Sequence, residues 1–255
     1  MIKIKIIVIA IVVLMVGCQD KTQENTIIDN SEVHHNYNNL DGKSLTEIFP
    51  NASVRLVEDW NGILKGSKIV GASTTTRNYI WDNKQNRYTP VNFDRENKNK
   101  DAIIITIYTI VSEKKDISNK ELLVIGSFDS NLIPNSSAAP LLGFSLAFNG
   151  SDAIKSNSHT GGIHTVDKYE EFPITSIFSG LGWEKNLENN SLPSVGTFSM
   201  VLTTTESTDN SKIFFSRFDI DFNKERTSQF NYKFGNSQIT IDGVSEISIT
   251  NQLKL

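Results

Sequence analysis

The sequence predicts an all-β body, an antiparallel sandwich or barrel of about nine or ten strands with little helix. Three observations predict it. The segment 212–222, KIFFSRFDIDF, alternates: Phe214, Phe218, Ile220 and Phe222 share one face with Ser216, and Phe215, Arg217, Asp219 and Asp221 share the other. Period 2 with one polar face describes a strand buried on one side. The runs 102–111 (AIIITIYTIV) and 122–128 (LLVIGSF) are apolar and β-branched, which suits central strands covered on both faces. No long amphipathic helix and no repeat of fixed period interrupts the short segments, which are separated by turn residues.

The elements follow in chain order. Residues 1–5, Met-Ile-Lys-Ile-Lys, are positive; residues 6–16, IIVIAIVVLMV, are apolar; Gly17 and Cys18 come next. This is the plan of a secretory signal. A helix over 6–16 spans about 16 Å, against the about 30 Å of a bilayer core, so the run is too short for a transmembrane anchor. Leu14-Met15-Val16-Gly17-Cys18 resembles the lipobox of bacterial lipoproteins, with Met15 where Leu is usual. The resemblance implies cleavage after Gly17, lipidation of the Cys18 thiol, and a further acyl chain on the new amino group. More than one acyl chain is what stable anchoring requires. Gln19 in place of Asp after the cysteine implies the outer membrane. Gln19-Asp20-Lys21 also resembles the charged export signal of surface lipoproteins of the Bacteroidota, which implies exposure at the cell surface.

Residues 18–43 are polar and Asn-rich, without an apolar period. They read as a flexible tether between lipid and domain, with His34 and His35 as solvated linker residues. The globular domain then covers 44–255. A short helix is expected at 44–49 with Ser44 as its cap. Further strands are expected at 53–58, 67–81, 141–149 and 196–205. Residues 82–100 and 150–195 read as long loops, the usual carriers of function on a β scaffold. Near the C-terminus, 212–234 reads as a hairpin turning at Asn223–Arg226, Gly235-Asn236 turns into Ile239 and Ile241, and Ile247, Ile249, Leu253 and Leu255 fall in phase.

Composition narrows the function. With 25 Lys and Arg against 29 Asp and Glu, the formal charge is −4; loss of Lys3 and Lys5 with the leader leaves 23 against 29, or −6. Both signs are interleaved, so the basic stripe that nucleic acid requires is absent. Cys18 is the only cysteine, which excludes an intramolecular disulfide and a cysteine-based zinc site. No Walker loop, Rossmann fingerprint or G-x-S-x-G elbow occurs, and no cofactor is expected. Asp219-Ile-Asp221-Phe-Asn223 begins like a calcium loop, but Lys224 and Phe230 stand where such a loop needs Gly and Glu.

Two constellations remain. His159-Thr-Gly-Gly-Ile-His164 with Asp167 offers two imidazoles and a carboxylate for a metal, at a spacing that matches no ligand motif. Loop histidines bonded to backbone or water are the favoured reading. Trp60, Trp81 and Trp183 each lie beside turn residues. An aromatic presented on a loop anchors partners well, and Trp183, between glycines and a charged run, is the candidate binding residue; the alternative is that these rings close the β core. The expected function is a non-enzymatic, lipid-anchored binding module for a protein or glycan ligand. The rival readings are an exported hydrolase or metal-binding protein built on His159 and His164, and a periplasm-facing structural lipoprotein.

Overall fold

The computed structural model describes residues 32–37, 40–92, 102–114, 121–131, 140–150, 152–164, 169–177, 180–187, 194–203, 212–222, 230–234, 238–242 and 245–255. The elements in chain order are β1 (Glu32–Tyr37), α1 (Leu45–Ile48), α2 (Val54–Ile63), β2 (Ser67–Asp82), β3 (Arg87–Val91), β4 (Ile103–Lys114) and β5 (Glu121–Ser130). There follow β6 (Leu141–Phe148), β7 (Ala153–His164), β8 (Tyr169–Glu171), β9 (Ile174–Ile177) and β10 (Gly180–Asn186). The last are β11 (Val195–Thr203), β12 (Ile213–Asp221), β13 (Asn231–Phe234), β14 (Ile239–Asp242) and β15 (Ile247–Lys254).

The protein is all-β, and its strands form an antiparallel sandwich. One sheet runs β1-β2-β4-β5-β11-β7-β8, with β3 also paired to β2. The second runs β15-β12-β6-β10-β9, and β13 pairs with β14 in a separate ribbon. Between the sheets lies the main core, with Ile105, Ile107, Val124, Phe128 and Phe198 from the first and Phe144, Leu146, Trp183, Phe214 and Phe218 from the second. Phe144 and Phe198 stack across it with centroids 4.4 Å apart. Two outer layers complete the fold. The helices cover the first sheet through Leu56, Trp60, Tyr108, Ile110 and Ile125. The β13–β14 ribbon covers the second through Phe215, Phe230, Tyr232 and Ile239.

Local chemistry explains the helices. Ser44 caps α1 in a reciprocal box with Glu47, as its Ser-x-x-Glu spacing directs. The strand expected at 53–58 is instead the start of α2. Ser53 caps it by accepting from Leu56 N–H, and Leu56, Trp60 and Leu64 recur every four residues, so all three reach the sheet. Six residues were too short a window to show that period.

Several expectations change in the same way. The tether expected over 18–43 does not extend that far, because Glu32–Tyr37 form an edge strand in register with Ala72–Arg77. Residues 18–31 lie outside the described residues. The loop expected over 150–195 is largely β7 to β10, and β3 occupies part of 82–100. The hairpin expected over 212–234 is not formed: β12 pairs with β15 and β6, and β13 pairs with β14. Finally, the polar face of β12 is not wet. Phe215 is 2 % exposed and Asp219 is fully buried beneath the ribbon, where Arg217 pairs with Asp219 at 2.9 Å.

Candidate ligand-binding groove

Alternation along three neighbouring strands builds the groove. On β2, the odd-numbered Ser73 and Thr75 turn inward to Asn251 of β15, so Thr74 and Thr76 face outward. On β4, Ile104, Thr106 and Tyr108 share that outer face, and on β1 Val33, His35 and Tyr37 do so. The helical layer covers the strands only as far as Tyr108, where Trp60 meets it at 5.2 Å; Phe49, Pro50 and Asn51, just after α1, form the rim. The resulting cavity measures about 470 Å³, within the range of about 300–1,000 Å³ usual for ligand sites.

The lining combines ring walls with hydroxyl groups. Tyr37 and Phe49 meet edge to face at 5.1 Å, and Phe49 meets Tyr108 in the same way at 5.5 Å. Tyr37 Oη and Thr74 Oγ1 lie 3.3 Å apart, and Thr76 and Thr106 pair their hydroxyls at 3.0 Å. Burial pushes the Tyr108 phenol well above its ordinary pKa, and the Asp129 charge adds to this, so it stays a protonated hydroxyl at neutral pH. Among the described residues no carboxylate lines the cavity. Such a surface can donate and accept hydrogen bonds beside an apolar wall.

The structure separates the histidine constellation. His159 is opposite Met200 and His164 opposite Val195 on β11. Met200 faces the main core and Val195 the helical layer, so the two imidazoles lie on opposite faces of the sheet. Their spacing of five makes this inevitable in a strand. Asp167 lies outside the described residues. His159 Nδ1 is buried without a hydrogen-bond partner among the described residues. His164 Nε2 meets Asp59 Oδ2 of α2 at 2.9 Å. Thr197 Oγ1 donates to that same carboxylate at 3.2 Å, so the hydroxyl reaches the acid and not the imidazole, and no nucleophile–base pair forms there. Among the described residues no group of three or more His, Cys, Asp or Glu is placed to hold a metal.

Packing explains the glycine pair between the histidines. A Cβ on Gly161 would come within 2.4 Å of Phe198 and 2.8 Å of the Trp183 indole; one on Gly162 would meet Tyr169 at 2.5 Å. Trp183 itself is not a loop anchor: it lies in β10 and is fully buried in the main core. Trp60 is fully buried as well, its Nε1–H donating to Ser127 Oγ at 2.9 Å. Trp81, at the end of β2, is 42 % exposed. The groove residues escaped sequence reasoning because their signal is distributed over three strands. His35 and Tyr37 lay in a stretch read as linker, and the run Thr74-Thr75-Thr76 announces a strand without announcing a site.

No family model matches the chain, and no curated protein matches it. Among solved structures it is similar to the collagen-binding domain of a Staphylococcus aureus adhesin, at 6 % identity and a TM-score of 0.30, over 52 % of this chain and 86 % of that one. It is similar to the collagen-binding subdomain of the Enterococcus faecalis surface protein ACE, at 11 % identity and a TM-score of 0.29, over 54 % and 88 %. The T6 backbone pilin of serotype M6 Streptococcus pyogenes aligns at 9 % identity and a TM-score of 0.32 over 66 % of this chain, which spans about half of that pilin, 49 %.

Proposed function

We propose that this chain is a lipid-anchored, non-enzymatic binding module of the cell envelope, displayed at the outer-membrane surface, whose outer-face groove takes a neutral, hydroxyl-rich ligand such as a sugar unit of a glycan. The groove carries this reading: about 470 Å³ walled by Tyr37, Phe49 and Tyr108, with three threonine hydroxyls and His35, and with no carboxylate among its described lining residues. The half-buried Tyr37 ring offers an apolar contact to the C–H face of a sugar, and hydroxyls and imidazole satisfy its hydroxyls. The lipobox-like run ending at Cys18 supports the anchor.

The test is a printed array of neutral oligosaccharides probed with the purified protein. Binding that is lost in Thr76→Val and His35→Ala, at unchanged melting temperature, is the expected result. Silence of the array, or equal signals from the wild type and both variants, would refute the groove as a glycan site. Cys18 is tested separately: labelled palmitate should enter the wild type and not Cys18→Ala.

A further inference from the structure

Among the described residues, the exposed large hydrophobic side chains lie at one end of the sandwich. Val54, Tyr169, Trp81 and Ile104 are the exposed large hydrophobic residues among those described, at 75 %, 46 %, 42 % and 39 %. The pairings place all four at the same end, with Trp81 on the face of the first sheet opposite to that of Ile104. Ile104 is opposite Asn78, three residues before Trp81. Two residues beyond Ile104, Thr106 pairs with Asp129, whose carboxylate accepts the Ser53 N–H at 3.1 Å; Val54 is next in sequence. Asp129 pairs in turn with Val195, Val195 with His164, and His164 with Tyr169. From β2 to β8 this rim crosses five strand spacings, about 24 Å.

The chain enters the domain at this same end. Glu32 is opposite Arg77, and β2 continues from there to Trp81. Residues 19–31 separate it from Cys18, a reach of at most about 45 Å. A lipid on Cys18 therefore tethers the domain from this end and leaves the end within reach of the bilayer. Trp81 and Tyr88 meet edge to face at 5.1 Å, and exposed Lys84 and Arg87 flank them on the β2–β3 connection. Trp and Tyr with Lys and Arg beside them are the side chains that settle at headgroup depth. On the far side, Tyr169 has Glu170 and Glu171 as neighbours, and Glu170 is paired with Lys185 at 2.8 Å.

We propose that the β2–β3 tip at this end of the sandwich rests on the lipid interface of the membrane that holds the anchor, with Trp81 at headgroup depth and the groove, on the opposite face of β2, left open. The inference depends on lipidation of Cys18, and its test separates the two. Full-length protein is labelled with radioactive palmitate, purified and placed in phosphatidylethanolamine–phosphatidylglycerol vesicles, with and without brominated acyl chains. Because Trp60 and Trp183 are fully buried, the emission lost in Trp81→Phe reports the exposed ring. Brominated lipid should remove that share of the emission, and aqueous iodide should not. Labelled protein quenched by iodide and not by bromine overturns the seating and leaves the anchor standing. Labelled protein quenched by neither means that a second copy or another protein covers the rim, which also overturns it. Unlabelled protein that leaves the vesicles refutes the anchor and the seating together.

Discussion

Glu184 shows at the residue scale how this fold strains ordinary chemistry. Its carboxylate is 5 % exposed and accepts the Phe230 N–H at 2.7 Å. Burial pushes its pKa above the usual glutamate value, and the hydrogen bond offsets only part of this. A group whose pKa is raised on folding adds stability below its unfolded pKa and loses it as pH rises through the folded one. The ionised carboxylate is therefore a cost at neutral pH. Glu184→Gln keeps an acceptor for Phe230 and carries no charge. Its urea midpoint at pH 7 should equal or exceed that of the wild type, and it should lack the part of the wild-type gain on mild acidification that Glu184 supplies. A lower midpoint at pH 7 would show that the ionised form is needed. Nothing in the residues around Glu184 announces this burial, because the Phe230 ribbon that covers it is 46 positions away. The same distance effect hid the role of Trp183. Flanking glycines signal a turn or a close approach equally well, and here Gly161, on another strand, gives the indole its space.

Two elements carry the lessons of local pattern. The alternation of β12 was legible: Phe214, Phe218 and Ile220 are fully buried in the main core. Its opposite face was not, since Arg217, Asp219 and Asp221 look solvated until the ribbon is placed over them. Both faces being covered, Phe218→Ala and Phe215→Ala should each cost about 3–5 kcal/mol in urea unfolding. A Phe215 variant near wild-type stability would mean that the ribbon closes over the gap. In β1, the sequence Glu-Val-His-His-Asn-Tyr has little apolar content to mark a strand; its place comes from pairing with β2 and from His34 Nδ1 lying 2.9 Å from Thr75 Oγ1. A chain starting at Glu32 should melt like one starting at Gln19. One starting at Lys43 should melt lower, by about 2–4 °C for each kcal/mol lost. Equal melting of all three would reduce β1 to an ornament.

Across the whole molecule, the all-β class was readable because it rests on local alternation, and the topology was not. Strand order places β11 between β5 and β7, and β6 between β12 and β10, and such long-range partners leave no trace in a window of ten residues. The candidate groove belongs to the same category: it exists only where three strands lie side by side at the margin of the helical layer. The helices themselves were half legible, since the Ser44 capping box is local and the α2 stripe depends on knowing which way it faces.

The place of β1 has a mechanical consequence. Its first residue, Glu32, lies at the end that faces the anchor, and its six residues pair with β2 along their whole length. Tension between a membrane-held Cys18 and a ligand captured on the domain pulls β1 along its own axis. All six pairs then bear the load together, in shear, where a strand joined the other way round would peel from one end, pair by pair. Stretching single molecules from residue 19 against the C-terminus should give one abrupt rupture at high force. A staircase of small, low-force steps would show that β1 unzips.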